Sequence, residues 1–414
     1  MSGKMNRRRF LKASAAVAGV GYFAVADVTE SRAVRQDDPM RKLNVAVVGA
    51  GGRGDASVNA LSRDDNMVAL CDVDERQAGK NFNRFPGATK YKDYRVMLEK
   101  QKDIEAVAVC TPDHHHAFAA IIAMKLGKHV YVEKPMAHSV WEVRQMAETA
   151  AKNKVATQMG NQGTAAAGLR QGAEIVRSGA LGDVREVHIW TNRPIWPQAM
   201  TKPAPRQEVP KTLDWDLWLG PAPERPYGGS AYVPFAWRGW WDFGTGAIGD
   251  MACHTMNLPF MALQLGPPTS IVAVSDRPVN EQSPPSGSPG QGVPREGLVV
   301  TYSFAARGKR PPVTLKWYEV GRPPSELMLG QKPGGSGMLM VGSKGTMYSP
   351  DDYGARHVLL PTRNFEGYKP PEQTIPRAPG NNHHGEWLRA CKGGPPAMSN
   401  FIDYAGPLTE IALL

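Results

Sequence analysis

Apolar residues in the first 163 positions fall into short runs, at 43–48, 67–71, 104–110, 130–132 and 155–159. Each is strand-sized, and the runs are separated by stretches with helical spacing at 54–61, 94–100, 117–127 and 139–150. Ser139-Val140-Trp141-Glu142 has the spacing of a capping box, and Gly127 is placed to end the helix before it. Strand and helix therefore alternate, which predicts a parallel sheet covered by helices. The three histidines 114–116 fall in what reads as a loop after the strand at 104–110.

The second half has another texture. A helix is expected at 169–178 and a strand at 184–191, followed by a proline- and tryptophan-rich stretch at 193–241 with little periodicity. Helical spacing returns at 246–263, and strands are expected at 270–274, 297–304, 313–318 and 338–341. This run of strands predicts a largely antiparallel sheet with one face free to cover a ligand. Residues 281–295, dense in proline, glycine and serine, read as a mobile surface loop. The apolar helix expected at 410–414 has no stop signal, as in a fragment or a helix that ends unusually.

Composition narrows the class. The 414 residues are 42% hydrophobic and suffice for two domains. The net charge of +10 does not imply nucleic acid, because Lys4, Arg7, Arg8, Arg9 and Lys12 supply half of it. The other half is spread without a basic stripe. Cys71, Cys110, Cys253 and Cys391 are far apart and read as buried thiols. Asn6-Arg7-Arg8-Arg9-Phe10-Leu11-Lys12, followed by a short apolar stretch ending in Ala24-Val25-Ala26, resembles a twin-arginine export signal with Asn6 in the hydroxyl position. We expect a signal at 1–26, a linker at 27–42, and export to the periplasm or to the outer face of the inner membrane. That route carries folded proteins, so a cofactor inserted before export is expected.

Candidate chemistry begins at Gly49-Ala50-Gly51-Gly52-Arg53-Gly54, directly after the first strand. The G-x-G-x-x-G spacing suits a pyrophosphate at a helix amino terminus. Asp72 ends the second strand, where a carboxylate accepts both ribose hydroxyls and repels a 2′-phosphate, favouring NAD over NADP. Arg53 and Arg76 are the two groups that would suit a phosphate instead. Val130-Tyr131-Val132-Glu133-Lys134-Pro135 brings Lys134 to the carboxyl end of a strand, because Pro135 cannot extend the ladder. Asp250 and His254, at i and i+4 of a helical stretch, form a possible acid-base pair. The adjacent histidines point in different directions from a loop and do not make a metal site.

The glycine turn, Asp72, Thr111-Pro112 with His116, Glu133-Lys134-Pro135 and the G-x-x-x-D-x-x-x-H run from Gly246 to His254 together resemble the Gfo/Idh/MocA oxidoreductases. The resemblance implies an NAD-binding Rossmann domain at 43–163 and an α+β domain with a large, mostly antiparallel open-faced sheet at 164–414. It implies cofactor contacts from Gly49, Gly51, Gly52, Arg53, Gly54, Asp72, Thr111, Pro112, His116, Glu133, Lys134 and Asn161. Lys134, Asp250 and His254 would carry the catalysis, with Arg238, Trp241 and His384 against the substrate and a homo-oligomer formed through the open sheet.

The chemistry required is removal of a hydroxyl proton and a hydride. His254 is expected as the base, Asp250 as its orienter or a hydroxyl acceptor, and Lys134 as the charge that steadies the alkoxide, although Lys134 and His254 could exchange roles. The function expected is NAD-dependent oxidation of a secondary hydroxyl on a sugar, polyol or inositol-like compound, with a tightly bound cofactor. A redox-neutral glycoside hydrolase or lyase resembling the exported α-N-acetylgalactosaminidases needs the same residues, and a non-catalytic sugar-binding protein is the third possibility.

Overall fold

The structure is a computed structural model that describes residues 40–198, 204–275 and 298–414. The signal, nearly all of the linker and the loop at 281–295 lie outside the described residues.

The first sheet is built from β1 (Asn44–Val48), β2 (Asn66–Cys71), β3 (Thr89–Tyr91), β4 (Ala106–Val109), β5 (His129–Val132) and β6 (Thr157–Met159). Its order is β3-β2-β1-β4-β5-β6 and every pair is parallel. Between the strands run α1 (Gly54–Leu61), α2 (Glu75–Arg84), α3 (Tyr94–Lys100), α4 (Asp113–Lys125) and α5 (Val140–Asn153). Both faces are covered, so successive side chains enter different cores. Ala46 and Val48 join one buried cluster, Val45 and Val47 the other. The chain reverses its direction of travel between β1 and β4, and the cleft for a ligand opens at the carboxyl ends of these strands.

The capping box at the start of α5 forms, with Ser139 and Glu142 each accepting from the other's backbone. One expectation is corrected: residues 114–116 are not loop but the first turn of α4, which Pro112 starts and Asp113 opens. α2, absent from the sequence reading, carries almost no apolar pattern. Asp74 starts it by accepting from Arg76 N at 3.0 Å.

The second half contains α6 (Ala167–Arg177), β7 (Val184–Thr191), α7 (Trp215–Leu219), α8 (Gly246–Thr255) and α9 (Asn257–Leu263). After these come β8 (Ser270–Val274), β9 (Val299–Phe304), β10 (Val313–Glu319), β11 (Gly337–Gly342), β12 (Thr346–Ser349) and β13 (Val358–Leu360). The sheet order is β13-β12-β11-β7-β10-β9-β8, and only β7 with β10 is parallel.

The end of the chain returns to the first sheet. On α10 (His383–Cys391), Trp387, Leu388 and Cys391 pack in one core with Val45 and Val47. Arg170 of α6 makes a two-pronged bond to Glu386 of α10 at 3.0 and 2.8 Å, with both side chains buried. Leu408 and Ile411 of α11 (Gly406–Leu413) share a buried cluster with Val143 and Met251. No helix among the described residues is long and apolar enough to cross a membrane.

Candidate active site

At the exit of β1 the chain turns sharply enough to require glycine, as Gly49 and Gly54 show. Gly49 has φ +78°, and a Cβ there would lie 2.8 Å from the Cys110 carbonyl group. A Cβ on Gly54 would meet Gly49 O at 1.8 Å, so Gly54 permits the close approach of α1 to the turn. Asp72 then ties the turn to β2. Its Oδ2 accepts from Gly51 N and its Oδ1 from Asp74 N, both at 2.9 Å. Burial pushes the Asp72 carboxyl up to about 6 against the pull of these backbone donors.

The two arginines that would suit a 2′-phosphate are both engaged. Arg53 Nε sits 3.0 Å from Glu133 Oε1, close enough to pair in charge but not aligned as a hydrogen bond. Arg76 lies 3.7 Å from Asp74.

Across the cleft, Lys134 follows β5, and its peptide to Pro135 is cis. Lys134 Nζ donates to Asp250 Oδ1 at 2.6 Å and to Asp250 O at 2.8 Å. Arg238 Nε donates to the same Oδ1 at 3.2 Å. Burial would raise the Asp250 carboxyl, but Lys134 and then Arg238 hold it at about 2. His254, one turn along α8, makes no hydrogen bond to Asp250. Its Nδ1 is buried without a protein partner, and its ring meets Tyr353 edge-on at 5.0 Å. Burial and then the Lys134 charge depress it to about 3, so the imidazole is neutral at pH 7. Asp250 is therefore the partner of Lys134 rather than the orienter of His254.

These groups share one cavity of about 670 Å³. Gly49, Gly51, Gly52, Arg53 and Asp72 line one end, and Thr111, Pro112, Glu133, Lys134, Arg238, Asp250 and His254 also face it. Thr111 Oγ1 and Asp352 Oδ1 on its wall are, like His254 Nδ1, buried without protein partners, as expected of groups that await a polar ligand. A dinucleotide fits this set: a glycine turn at a helix start, a carboxylate for the ribose, and unpaired polar atoms beyond.

Five expected contacts lie outside the cavity wall, Gly54 among them because it packs α1 against the turn. Asn161 is fully buried, donates to Cys253 O at 3.3 Å and accepts from Ser399 Oγ at 2.6 Å, so its amide is spent on protein. His116 holds Thr111 O and Pro135 O, each at 2.8 Å. His384 stacks on Tyr131 at 4.6 Å and bonds Ser57 Oγ at 3.1 Å, behind the sheet. Trp241 is 86% exposed and apart from the cavity. Wall residues that sequence reasoning missed are Arg193, Trp196, Phe235 and Tyr353. The aromatic density of 193–241 pointed towards the first three, and no signal in the sequence pointed to Tyr353.

A glycine-turn Rossmann domain joined to an open-sheet domain, with a lysine and a carboxylate meeting in the cleft between them, defines a two-domain dinucleotide-binding protein of oxidoreductase type. Residues 43–161 match the NAD-binding Rossmann fold of the Gfo/Idh/MocA oxidoreductase family, and residues 170–271 match that family's C-terminal alpha/beta domain. The chain belongs to the Gfo/Idh/MocA family, and its cofactor is NAD. The D-glucoside 3-dehydrogenase of Escherichia coli K12 is 32% identical over 145 residues, 34% of this chain and 41% of that protein. A glycosyl hydrolase family 109 protein of Solibacter usitatus is 32% identical over 161 residues, 35% and 36% of the two. The match thus spans about two fifths of the length of these curated relatives. The WlbA dehydrogenase of Bordetella pertussis, solved with NADH and UDP-GlcNAcA, shares the fold with TM-score 0.60 at 17% identity, over 90% of this chain and 94% of that one.

Proposed function

We propose that the protein is an NAD-dependent oxidoreductase that acts on a secondary hydroxyl of a sugar, polyol or inositol-like compound and holds its cofactor tightly. The observation that carries this reading is the meeting, in the cavity that Asp72 and the glycine turn line, of a charged Lys134–Asp250 pair with a neutral, unpartnered His254.

In the oxidising direction the hydroxyl proton passes to His254. Lys134, oriented by its hydrogen bonds to Asp250, donates to the oxygen as it becomes alkoxide and then carbonyl. A base held at about 3 takes that proton only as the hydride departs and the hydroxyl turns acidic, so the two transfers are coupled. Bound NAD supplies the hydride acceptor. Asp72 and the glycine turn would hold its adenosine ribose and pyrophosphate, and Thr111, Glu133 and Lys134 its other half.

A second reading, redox-neutral glycoside cleavage, is supported by the similarity to a glycosyl hydrolase family 109 protein. It also suits export, since free NAD is scarce outside the cytoplasm. The Asn6 to Lys12 motif supports twin-arginine export to the periplasm or the outer face of the inner membrane. Exposed Val272 and Val274 on the edge strand β8 support self-association through the open sheet.

The experiment incubates the NAD-loaded protein with free hexoses, methyl hexosides, myo-inositol and p-nitrophenyl glycosides. NADH appearing at 340 nm with sugars or inositol supports oxidation. Nitrophenol released without added acceptor supports cleavage. Inactivity on every compound, with NAD bound, would sink both readings.

A further inference from the structure

The tryptophan-rich stretch between β7 and α8 crosses the cofactor cleft and is pinned on both sides of it. On one side Leu213 bridges Asp74 just beyond β2. Asp214 N donates to Val73 O at 2.9 Å, and Glu75 N donates to Thr212 O at 3.0 Å. On the other side the carbonyl of Trp218, near the end of α7, accepts from His114 Nε2 at 3.1 Å and from His115 Nε2 at 2.9 Å. Those histidines open α4, just beyond β4. In the first sheet β2 and β4 flank β1. A segment tied to the exits of both must pass over the exit of β1, where the glycine turn lies.

The span is stiff. Asp214 starts α7 by accepting from Leu217 N at 3.1 Å, and Trp215 stacks on Trp218 at 4.8 Å with their planes 11° apart. Gly220 lies so close to α4 that a Cβ there would be 2.1 Å from the His115 ring. Leu213 is 7% exposed, and Leu213, Asp216, Leu217 and Trp218 line the same cavity as Gly51 and Asp72.

We propose that residues 212–220 are a strap across the adenosine half of the NAD site, and that the cofactor exchanges only when one of its two moorings opens. This rests on the NAD-dependent reading above and adds to it the element that makes NAD a resident group rather than a freely exchanging co-substrate. It also gives the histidine run a purpose: His114 and His115 moor the strap.

The test loads the full chain with adenine-labelled NAD, passes it through gel filtration, and follows loss of label against excess unlabelled NAD. Asp214→Pro removes the amide donor to Val73 O at a position whose φ of −89° is near the proline range. His114→Leu removes one donor at the other mooring, and His114 does not face the cavity. With a hydrogen bond contributing about 1 kcal/mol, each change should speed the opening of its own mooring about 5-fold; because either opening frees the cofactor, release should rise about 3-fold in each single variant and about 5-fold in the double variant. Circular dichroism checks that each variant is folded, and the two moorings fail independently. Wild-type protein that binds NAD but loses it on the column would overturn the strap and leave the NAD reading standing. Folded variants of both moorings that release label at the wild-type rate would do the same. A wild type that takes up no NAD would overturn both.

Discussion

Replacing Lys134 by methionine keeps the length of the side chain and removes its charge. Lys134 makes two hydrogen bonds to Asp250 and is the largest counterweight to burial at that carboxyl. Asp250 at about 2, against an ordinary 3.8, favours its charged form by about 2–3 kcal/mol. Arg238 remains 3.2 Å away in the variant, so we expect about 1–3 kcal/mol of stability lost, less than the roughly 3–5 kcal/mol of a buried pair broken outright. Because the Asp250 value is depressed, its contribution is full above pH 3.8 and lost as pH falls towards 2. The stability gap between wild type and variant should close over that window. Turnover should fall about 10²- to 10³-fold, the usual scale of losing one donor to a developing oxyanion. The sharper assay is an NMR titration of the histidines, with His254 assigned from a His254→Asn variant. Next to burial, Lys134 is the chief group holding His254 down, so in the Lys134→Met protein its titration should move up from about 3. An unmoved His254, or unchanged turnover in the variant, would refute this account of the site.

Asp72→Ala should weaken NAD about 10- to 100-fold, the loss of one or two hydrogen bonds to a charged acceptor, and narrow the preference over NADP, read by calorimetry. With Asp72 at about 6, NAD affinity in the wild type should fall as pH drops below 6, whereas charging this buried group costs the cofactor-free fold stability as pH rises from 3.8 to 6. Asn161→Ala should cost about 1–3 kcal/mol of stability by stranding Ser399 Oγ, with the NAD dissociation constant unchanged. Arg170→Met leaves Glu386 buried without its two-pronged partner and should cost about 3–5 kcal/mol in urea unfolding, most of it recovered by adding Glu386→Leu.

Elements whose core side is written in local pattern were the ones readable in the sequence. β1, β4 and β5 are near-continuous apolar runs because both faces of the parallel sheet are covered, and α5 carries its own start signal. α2 was unreadable for the opposite reason: among Glu75-Arg76-Gln77-Ala78 and their successors only Ala78 and Asn81 are buried, and a cap on Asp74 starts the helix. The histidines of α4 look like loop residues by composition. They are helical because His114 and His115 find carbonyl partners on Trp218 more than 100 residues away, a contact no local window contains.

That Lys134, Asp250 and His254 would share one cavity was readable, but their partnership was not. Positions i and i+4 on a helix share a face, and that alone suggested Asp250 orienting His254. Which neighbour Asp250 takes is decided instead by how the end of β5 and the turn at Arg238 pack on α8, and there Lys134 reaches it first. The consequence is chemical. Two cations already claim the carboxylate, so it cannot relay a proton from the imidazole without giving up a pair that holds it at about 2. The mechanism we propose therefore divides the site into a charged pair that acts on the substrate oxygen and a neutral imidazole that takes the proton, each tuned by the same lysine.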